Sequence, residues 1–290
     1  MITIENDFLK ASFLTKGAEW RSFVEKVHGR EFLWQADPKY WGKTAPVLFP
    51  IVGALKNGEY QYRGQTYRLP RHGFARDLEF RVKEQEAWRV VFVLESTDET
   101  KKVYPFDWSF EIEYRLWKRV IHTTYRVTNT GTDELWFSVG AHPAFNLPFF
   151  GEGKFEDGFL DFELNEPLTR HLIDVNGIQT GETRPLPHAG RSLVTTRPLF
   201  AEDAVILKNL KSSRVALRQR DCSSALSMEF PGFKAFGIWA PQDAPFVCLE
   251  PWCGVADSAS SSGQLEEKEG INRLDAGATF TRSFAVTVEG

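Results

Sequence analysis

Three positions in this sequence carry side chains suited to moving protons, and each stands beside a residue that bends or interrupts the backbone. Glu250 ends the apolar run Phe246-Val247-Cys248-Leu249-Glu250 and is followed by Pro251. His142 follows the apolar run Trp136 to Gly140 and precedes Pro143, while His72 lies just after Pro70-Arg71 and before Gly73. Proline lacks the N–H that a strand interior uses, so the two prolines are read as stopping their strands with a titratable group at each end. Alternate residues of a strand share a face, which puts Phe246, Cys248 and Glu250 on one side and Val247 and Leu249 on the other. Such a glutamate either reaches water from an edge strand or is buried, and a buried carboxylate needs a partner or a task.

If His142 and Glu250 meet across a cleft, the chemistry is that of an acid and a base. With unperturbed pKa values of about 6.5 and 4.3, a neutral-pH site would hold an ionised carboxylate and a partly charged imidazole. Each favours the charged form of the other. The pair can then take a proton from one oxygen and deliver one to another. A metal site made of His72, His142 and Glu250 lacks short-range ligand spacing, so no metal is expected. His171 and His188 fall in a polar, turn-rich stretch between Asn165 and Pro198 and read as surface histidines. There is no HExxH, GxSxG, Walker or GxGxxG pattern, which removes support for zinc proteases, α/β-hydrolases and nucleotide enzymes.

The elements that must position these groups are strands. Phe110, Ile112, Tyr114 and Leu116 alternate with Glu111, Glu113 and Arg115; beyond a turn at Lys118-Arg119, Ile121, Thr123, Tyr125 and Val127 alternate in the same way until Asn129-Thr130-Gly131. Trp88 to Leu94 is nearly apolar and reads as a central strand. Further strands are expected from Ile2, from Phe8 to Leu14, and at Ala204 to Leu207, Arg214 to Gln219, Phe236 to Ala240 and Thr279 to Val288. Asn57-Gly58 and Arg63-Gly64 signal hairpin turns around Tyr60-Gln61-Tyr62 and Thr66 to Leu69. Pro46 to Gly53 suits a buried connection, Asp37-Pro38 the opening of a single helical turn, and only Leu265 to Glu269 looks helical. Many short strands, with no linker, composition break or internal repeat, describe one all-β domain over residues 1–290.

Composition narrows the partners. The chain has 290 residues and a formal charge of −4, with lysine and arginine scattered rather than grouped, which argues against nucleic acid or an anionic membrane as partner. Cys222, Cys248 and Cys253 are too few and wrongly spaced for a disulfide framework or structural zinc. The first residues lack a signal-peptide pattern and no apolar run nears the roughly 18 residues of a membrane helix, so a cytoplasmic protein is expected. The 24 Phe, 9 Trp and 7 Tyr suit β structure and also faces that stack on sugars.

Three ordered motifs, Arg71-His72-Gly73-Phe74-Ala75-Arg76, Gly140-Ala141-His142-Pro143-Ala144-Phe145 and Cys248-Leu249-Glu250-Pro251-Trp252-Cys253-Gly254, resemble the aldose 1-epimerase (galactose mutarotase) family, and its LacX-like branch in particular. Lys56 to Tyr60 and Glu267 to Ile271 extend the resemblance over nearly the whole chain. It implies a large antiparallel β-supersandwich that interconverts the α and β anomers of free aldoses without a cofactor. Glu250 would be the general base on the anomeric hydroxyl and His142 the general acid on the ring oxygen. His72 would bind the sugar near the reacting centre, and Asp203 would anchor hydroxyls on the strength of a short, loose motif. One departure stands out: where many relatives carry an arginine ahead of the Lys-Asn-Gly turn, this chain has Ala54. Arg71 or Arg76 is then the candidate replacement, and Phe145, Trp239 and Trp252 are candidate stacking faces, with core packing expected for at least two of them. Two alternatives stay open: a hexose 6-phosphate substrate, drawn to Lys43, Arg71 and Arg76, and a sugar-binding module without catalysis. The expected partner is a small sugar, with the protein a monomer or a homodimer.

Overall fold

Strict alternation of apolar and polar residues produces two strands of ten residues, Trp108–Trp117 and Val120–Asn129. In the computed structural model, which describes residues 1–290, they pair antiparallel with Ile112 opposite Tyr125. Phe110, Ile112 and Tyr125 point into the core, and Glu111, Glu113 and Arg115 lie on the wetter face. These strands belong to a nine-stranded sheet. An eight-stranded sheet runs Gln179–Pro185, Thr169–Ile173, Val205–Lys208, Ala235–Trp239, Phe246–Cys253, Val139–Ala141 and Val47–Leu48, with Ala144–Asn146 pairing alongside Phe246–Cys253. Every strand pair is antiparallel.

The inner faces of the two sheets close on a contiguous core that extends from Ile4 to Val288. Phe110 and Ile112 enter it from one side and Val247, Leu249 and Ile238 from the other, all fully buried. Each such side chain contributes about 1.5–3 kcal/mol by leaving water. A four-stranded sheet at the start of the chain adds Phe13, Trp20 and Phe23 to the same core. The all-β, antiparallel sandwich expected from the sequence is the observed architecture. No helix is long and apolar enough to cross a membrane.

Several local expectations change. Asn57-Gly58 makes a short 3-10 turn, and the hairpin is the one about Arg63-Gly64, joining Glu59–Tyr62 to Gln65–Arg68. Asn57 has the positive φ of a hairpin turn, but no strand precedes it to pair with. The apolar run at Trp88 begins as strand only at Arg89; it is flanked on both sides, one place in from the sheet edge rather than central, and Trp88 itself is exposed. Trp136 to Gly140 is divided between two sheets, Leu135–Phe137 pairing with Asn272–Leu274 and Val139–Ala141 joining the eight-stranded sheet. Leu265 to Glu269 contributes a single 3-10 turn, Leu265–Glu267. The α-helix Asp98–Lys101, held by a capping box between Thr97 and Thr100, was not anticipated because one turn shows no periodicity.

The largest correction concerns Pro251. It does not stop its strand, which continues to Cys253. Leu249 donates its N–H to Pro143 O, so two residues later Pro251 faces the same neighbouring strand, at the place where that strand breaks around His142-Pro143. The register carries through unshifted, so Pro251 stands opposite Ala141 and the one N–H it lacks interrupts the ladder locally, while its pairing with Phe236 on the other side keeps the strand going.

Candidate active site

The same stretch of ladder builds the site. Val139–Ala141 and Ala144–Asn146 lie on one side of Phe246–Cys253 in one unshifted register, which sets the two residues between them, His142 and Pro143, opposite Glu250 and Leu249. Residues directly opposite in an antiparallel pair project to the same face, which brings the His142 side chain to Glu250. Glu250 projects from the sheet face opposite the main core, sharing it with Phe246, Cys248 and Trp252, in the alternation read from the sequence. His142 Nε2 comes within 3.2 Å of Glu250 Oε2, and both residues are buried. That contact lacks hydrogen-bond geometry, and neither Glu250 oxygen receives a well-formed hydrogen bond from the protein.

His72 arrives on the Pro70–Ala75 loop. Its N–H donates to Gly53 O, and the Gly53 N–H donates back to His72 Nδ1 at 3.1 Å. An Nδ1 that accepts leaves the proton of the neutral ring on Nε2, so His72 offers a fixed donor. The reciprocal pair holds His72 at φ 70°, a left-handed conformation that a non-glycine residue adopts only under such constraint. Gly73 next to it is a close approach: a Cβ there would stand 2.3 Å from Phe49 O.

All six residues singled out in the sequence, Glu250, His142, His72, Arg71, Arg76 and Asp203, line one cavity of about 240 Å³. Asp203 also has a left-handed φ, 65°. The buried guanidinium of Arg170 holds its loop by donating to the carbonyls of Leu199, Glu202, Asp203 and Ala204. One Asp203 oxygen accepts from the Ala204 N–H and the other lies 3.5 Å from the Arg71 guanidinium. Arg76 donates to Arg71 O and stands 3.7 Å from Asp77, which also pairs with Lys43. Ala54 is buried and does not reach the cavity. A larger surface hollow of about 470 Å³, beside Phe8, Trp88 and Trp117, holds no histidine and no buried carboxylate.

The walls are tryptophans. Trp239 and Trp252 line the cavity, and Phe145 is buried in the main core; since Trp252 is also packed in a smaller core cluster, two of the three aromatic candidates are core-packed, as expected, and Trp252 serves both roles. Trp41 was missed altogether. It stacks on the His142 ring at 4.9 Å and meets Trp239 edge-on; no sequence pattern marked it. Trp252 lies in a slot between two glycines. A Cβ on Gly140 would come within 2.7 Å of one edge of its indole, and one on Gly237 within 2.5 Å of the other. Gly237 is the residue paired with Glu250 across the ladder.

Burial sets the protonation of the site. It pushes Glu250 well above the usual carboxylate range, an effect that Arg71 opposes, Asp203 reinforces and the neighbouring Trp252 indole slightly offsets. Burial also lowers His142 to about 3, with the Arg76 and Arg71 charges adding to it. Both directions favour uncharged groups, so the Glu250–His142 pair holds one proton between them across neutral pH. His72 is likewise held well below 6.5, by burial first and then by His142, Arg71 and Arg76. His142, Cys248 and Glu250 place possible ligand atoms within 4.8 Å of one another.

A histidine whose folded-state pKa lies below its unfolded value binds fewer protons when folded. Its contribution to stability is therefore fully present above pH 6.5 and lost progressively as pH falls from there towards the folded-state value. Glu250, raised on folding, acts in the opposite sense but is common to wild type and a His72 variant. His72→Gln is expected to flatten the fall in unfolding free energy between pH 6 and 5 by about 1 kcal/mol per unit. Urea unfolding at the two pH values checks this, and an unchanged slope would show that His72 protonates in the folded chain.

A large antiparallel sandwich with a buried carboxylate and imidazole lining a small aromatic-walled cavity defines a class, and comparison with known proteins gives the same one. The aldose 1-epimerase family model matches residues 1–272, and the chain belongs to that family of carbohydrate isomerases. More particularly, it is 33% identical over 296 aligned positions to the chromosomal protein LacX of Lactococcus lactis subsp. lactis, covering 99% of each chain. A galactose mutarotase related enzyme from Lactobacillus acidophilus superposes with a TM-score of 0.95 at 35% identity, over 100% of this chain and 97% of that one. A galactose mutarotase-like protein from Lactobacillus casei superposes with a TM-score of 0.94 at 33% identity, over the full length of both.

Proposed function

We propose that the protein interconverts the α and β anomers of a free aldohexose, with Glu250 and His142 as its acid–base pair. The observation that carries this reading is Glu250 itself, a buried carboxylate with no well-formed hydrogen bond from the protein, 3.2 Å from an imidazole, at a cavity wall. In the reacting complex Glu250 as carboxylate takes the proton of the anomeric hydroxyl, while His142 as imidazolium gives its proton to the ring oxygen. The bond from C1 to the ring oxygen breaks and C1 becomes an aldehyde. Rotation about C1–C2 presents its other face, and the two protons return as the ring closes. Ring opening thus converts an ion pair into two neutral groups, the state that burial of both favours.

The remaining residues hold the sugar. The Nε2–H of His72 donates near the reacting centre. Asp203 and Arg71 bind hydroxyls, Arg71 taking the place of the arginine absent at Ala54, and Arg76 supports Arg71 through its carbonyl. A cavity of about 240 Å³ lies below the roughly 300–1,000 Å³ of drug-sized ligand sites and suits one hexose ring. A phosphate would need a free cation cluster, but Lys43 and Arg76 face Asp77 and Arg71 faces Asp203. This favours the unphosphorylated sugar.

The test is anomer exchange, by polarimetry or saturation-transfer NMR, on freshly dissolved α-D-glucose, α-D-galactose and glucose 6-phosphate. Acceleration on a free hexose is expected. Binding without acceleration would reassign the protein as a sugar-binding module, and a strong preference for the phosphorylated sugar that Arg76→Ala abolishes would move the substrate. The pH profile is a second prediction. The active pair carries one proton, and a second enters only near pH 3, where His142 titrates. kcat/KM is expected to change less than about twofold between pH 7 and 5; an acid limb near 6.5 would mean that an unburied histidine controls the rate.

A further inference from the structure

Cys248 takes no part in the reaction above, yet it lies two residues before Glu250 on the same strand face. It is fully buried and does not line the sugar cavity. Its Sγ, a His142 ring nitrogen and a Glu250 oxygen all fall within 4.8 Å of one another. Neither Glu250 oxygen receives a well-formed hydrogen bond from the protein, and His142 and Glu250 both open onto the cavity. A thiol, an imidazole and an unpartnered carboxylate, adjacent to a solvent-connected cavity, form a donor set for a borderline-soft divalent cation.

We propose that Cys248, His142 and Glu250 form an inhibitory binding site for zinc-like divalent cations, entered through the sugar cavity. Zinc bonds of about 2.0–2.3 Å put tetrahedral ligand atoms roughly 3.5 Å apart. Closing from a spread of at most 4.8 Å needs only sub-ångström shifts of each side chain. The charges balance: Zn2+ with a thiolate, a carboxylate and a neutral imidazole is uncharged, as a buried site requires. Two protons leave on binding, one from the Cys248 thiol and one from the Glu250–His142 pair. The fourth position is left for water on the cavity side, in space that the sugar would otherwise occupy. Occupied in this way, Glu250 and His142 can no longer exchange protons with substrate. Magnesium, which prefers six oxygen ligands, does not fit this set.

Metal binding stands without any assumption about substrate; inhibition rests on the proposed epimerase reaction. The experiment titrates the chelator-treated protein with ZnCl2 by calorimetry in buffers of different ionisation enthalpy, records Co2+ difference spectra, and follows anomer exchange at rising Zn2+. One ion per chain, release of about two protons, a near-ultraviolet thiolate-to-cobalt band and inhibition competitive with sugar are expected, all reversed by EDTA. Cys248→Ala is expected to keep metal-free turnover and weaken Zn2+ binding by roughly tenfold or more. Cys248→Ser, which conserves volume, serves the same purpose if the alanine variant does not fold. Undiminished Zn2+ binding in the folded variant, equal binding of Mg2+, or no calorimetric binding by wild type would overturn the site. Zinc binding with the expected proton release, but no anomer exchange at any metal level, would leave the site standing and remove the epimerase reading instead.

Discussion

Replacing Glu250 with glutamine is expected to lower kcat for anomer exchange by about 10³-fold or more while leaving the folded protein no less stable at pH 7. The two halves come from one fact. Proton transfer by a positioned carboxylate is worth roughly 10²–10⁴-fold, and glutamine keeps the shape while removing the base. The carboxylate is also buried, with no well-formed hydrogen bond to satisfy it, so the wild-type fold bears the cost of holding it. A neutral amide relieves that cost. Thermal or urea unfolding beside saturation-transfer NMR reads both quantities on one sample. A variant that keeps more than about a tenth of the rate would remove Glu250 from the chemistry, and one that loses rate only because it unfolds would show the carboxylate to be structural.

His142→Gln is expected to cost about 10²–10⁴-fold in kcat, and the double variant Glu250→Gln/His142→Gln about as much as the worse single change. Groups that share one proton act as a unit, so removing the second after the first loses little more. Their 3.2 Å separation and opposed pKa directions are the basis for treating them in this way. If the two losses multiplied, the residues would be acting in independent steps, and the pair described here would be wrong. The variant also loses the ring that stacks on Trp41; a changed KM at equal kcat would report that packing loss rather than the proton.

What the sequence revealed depended on how local the cause was. The long strands were legible because alternation is a property of each strand alone, and the face occupied by Glu250 followed from the same rule. His142 was legible because Pro143 marks a break that exists whatever packs beside it. Pro251 was misread by the same logic: whether a proline ends a strand depends on the neighbour it faces, and that neighbour is more than a hundred residues earlier in the chain. Asn57-Gly58 has the backbone of a hairpin turn but no partner strand, again a fact about distant segments. Arg170 and Trp41 act on the site through contacts with Leu199–Ala204 and His142, and neither belongs to a pattern. Asp203 was found through a loose motif, and its left-handed backbone and its arginine clamp were beyond that motif.

The tryptophan held between Gly140 and Gly237 ties three positions into a single heritable unit. Any side chain at either glycine collides with the indole, so neither can mutate first without harm, although both have backbone angles that alanine accepts. Gly237→Ala alone is expected to destabilise the protein by about 1–3 kcal/mol, and the same change made after Trp252→Leu by distinctly less, as a double-mutant cycle would show. Routes that remodel this wall of the cavity therefore have an obligatory order, with the large residue shrinking before the small ones grow. A random library sampling single changes would record Gly140 and Gly237 as immutable and miss that their constraint is conditional.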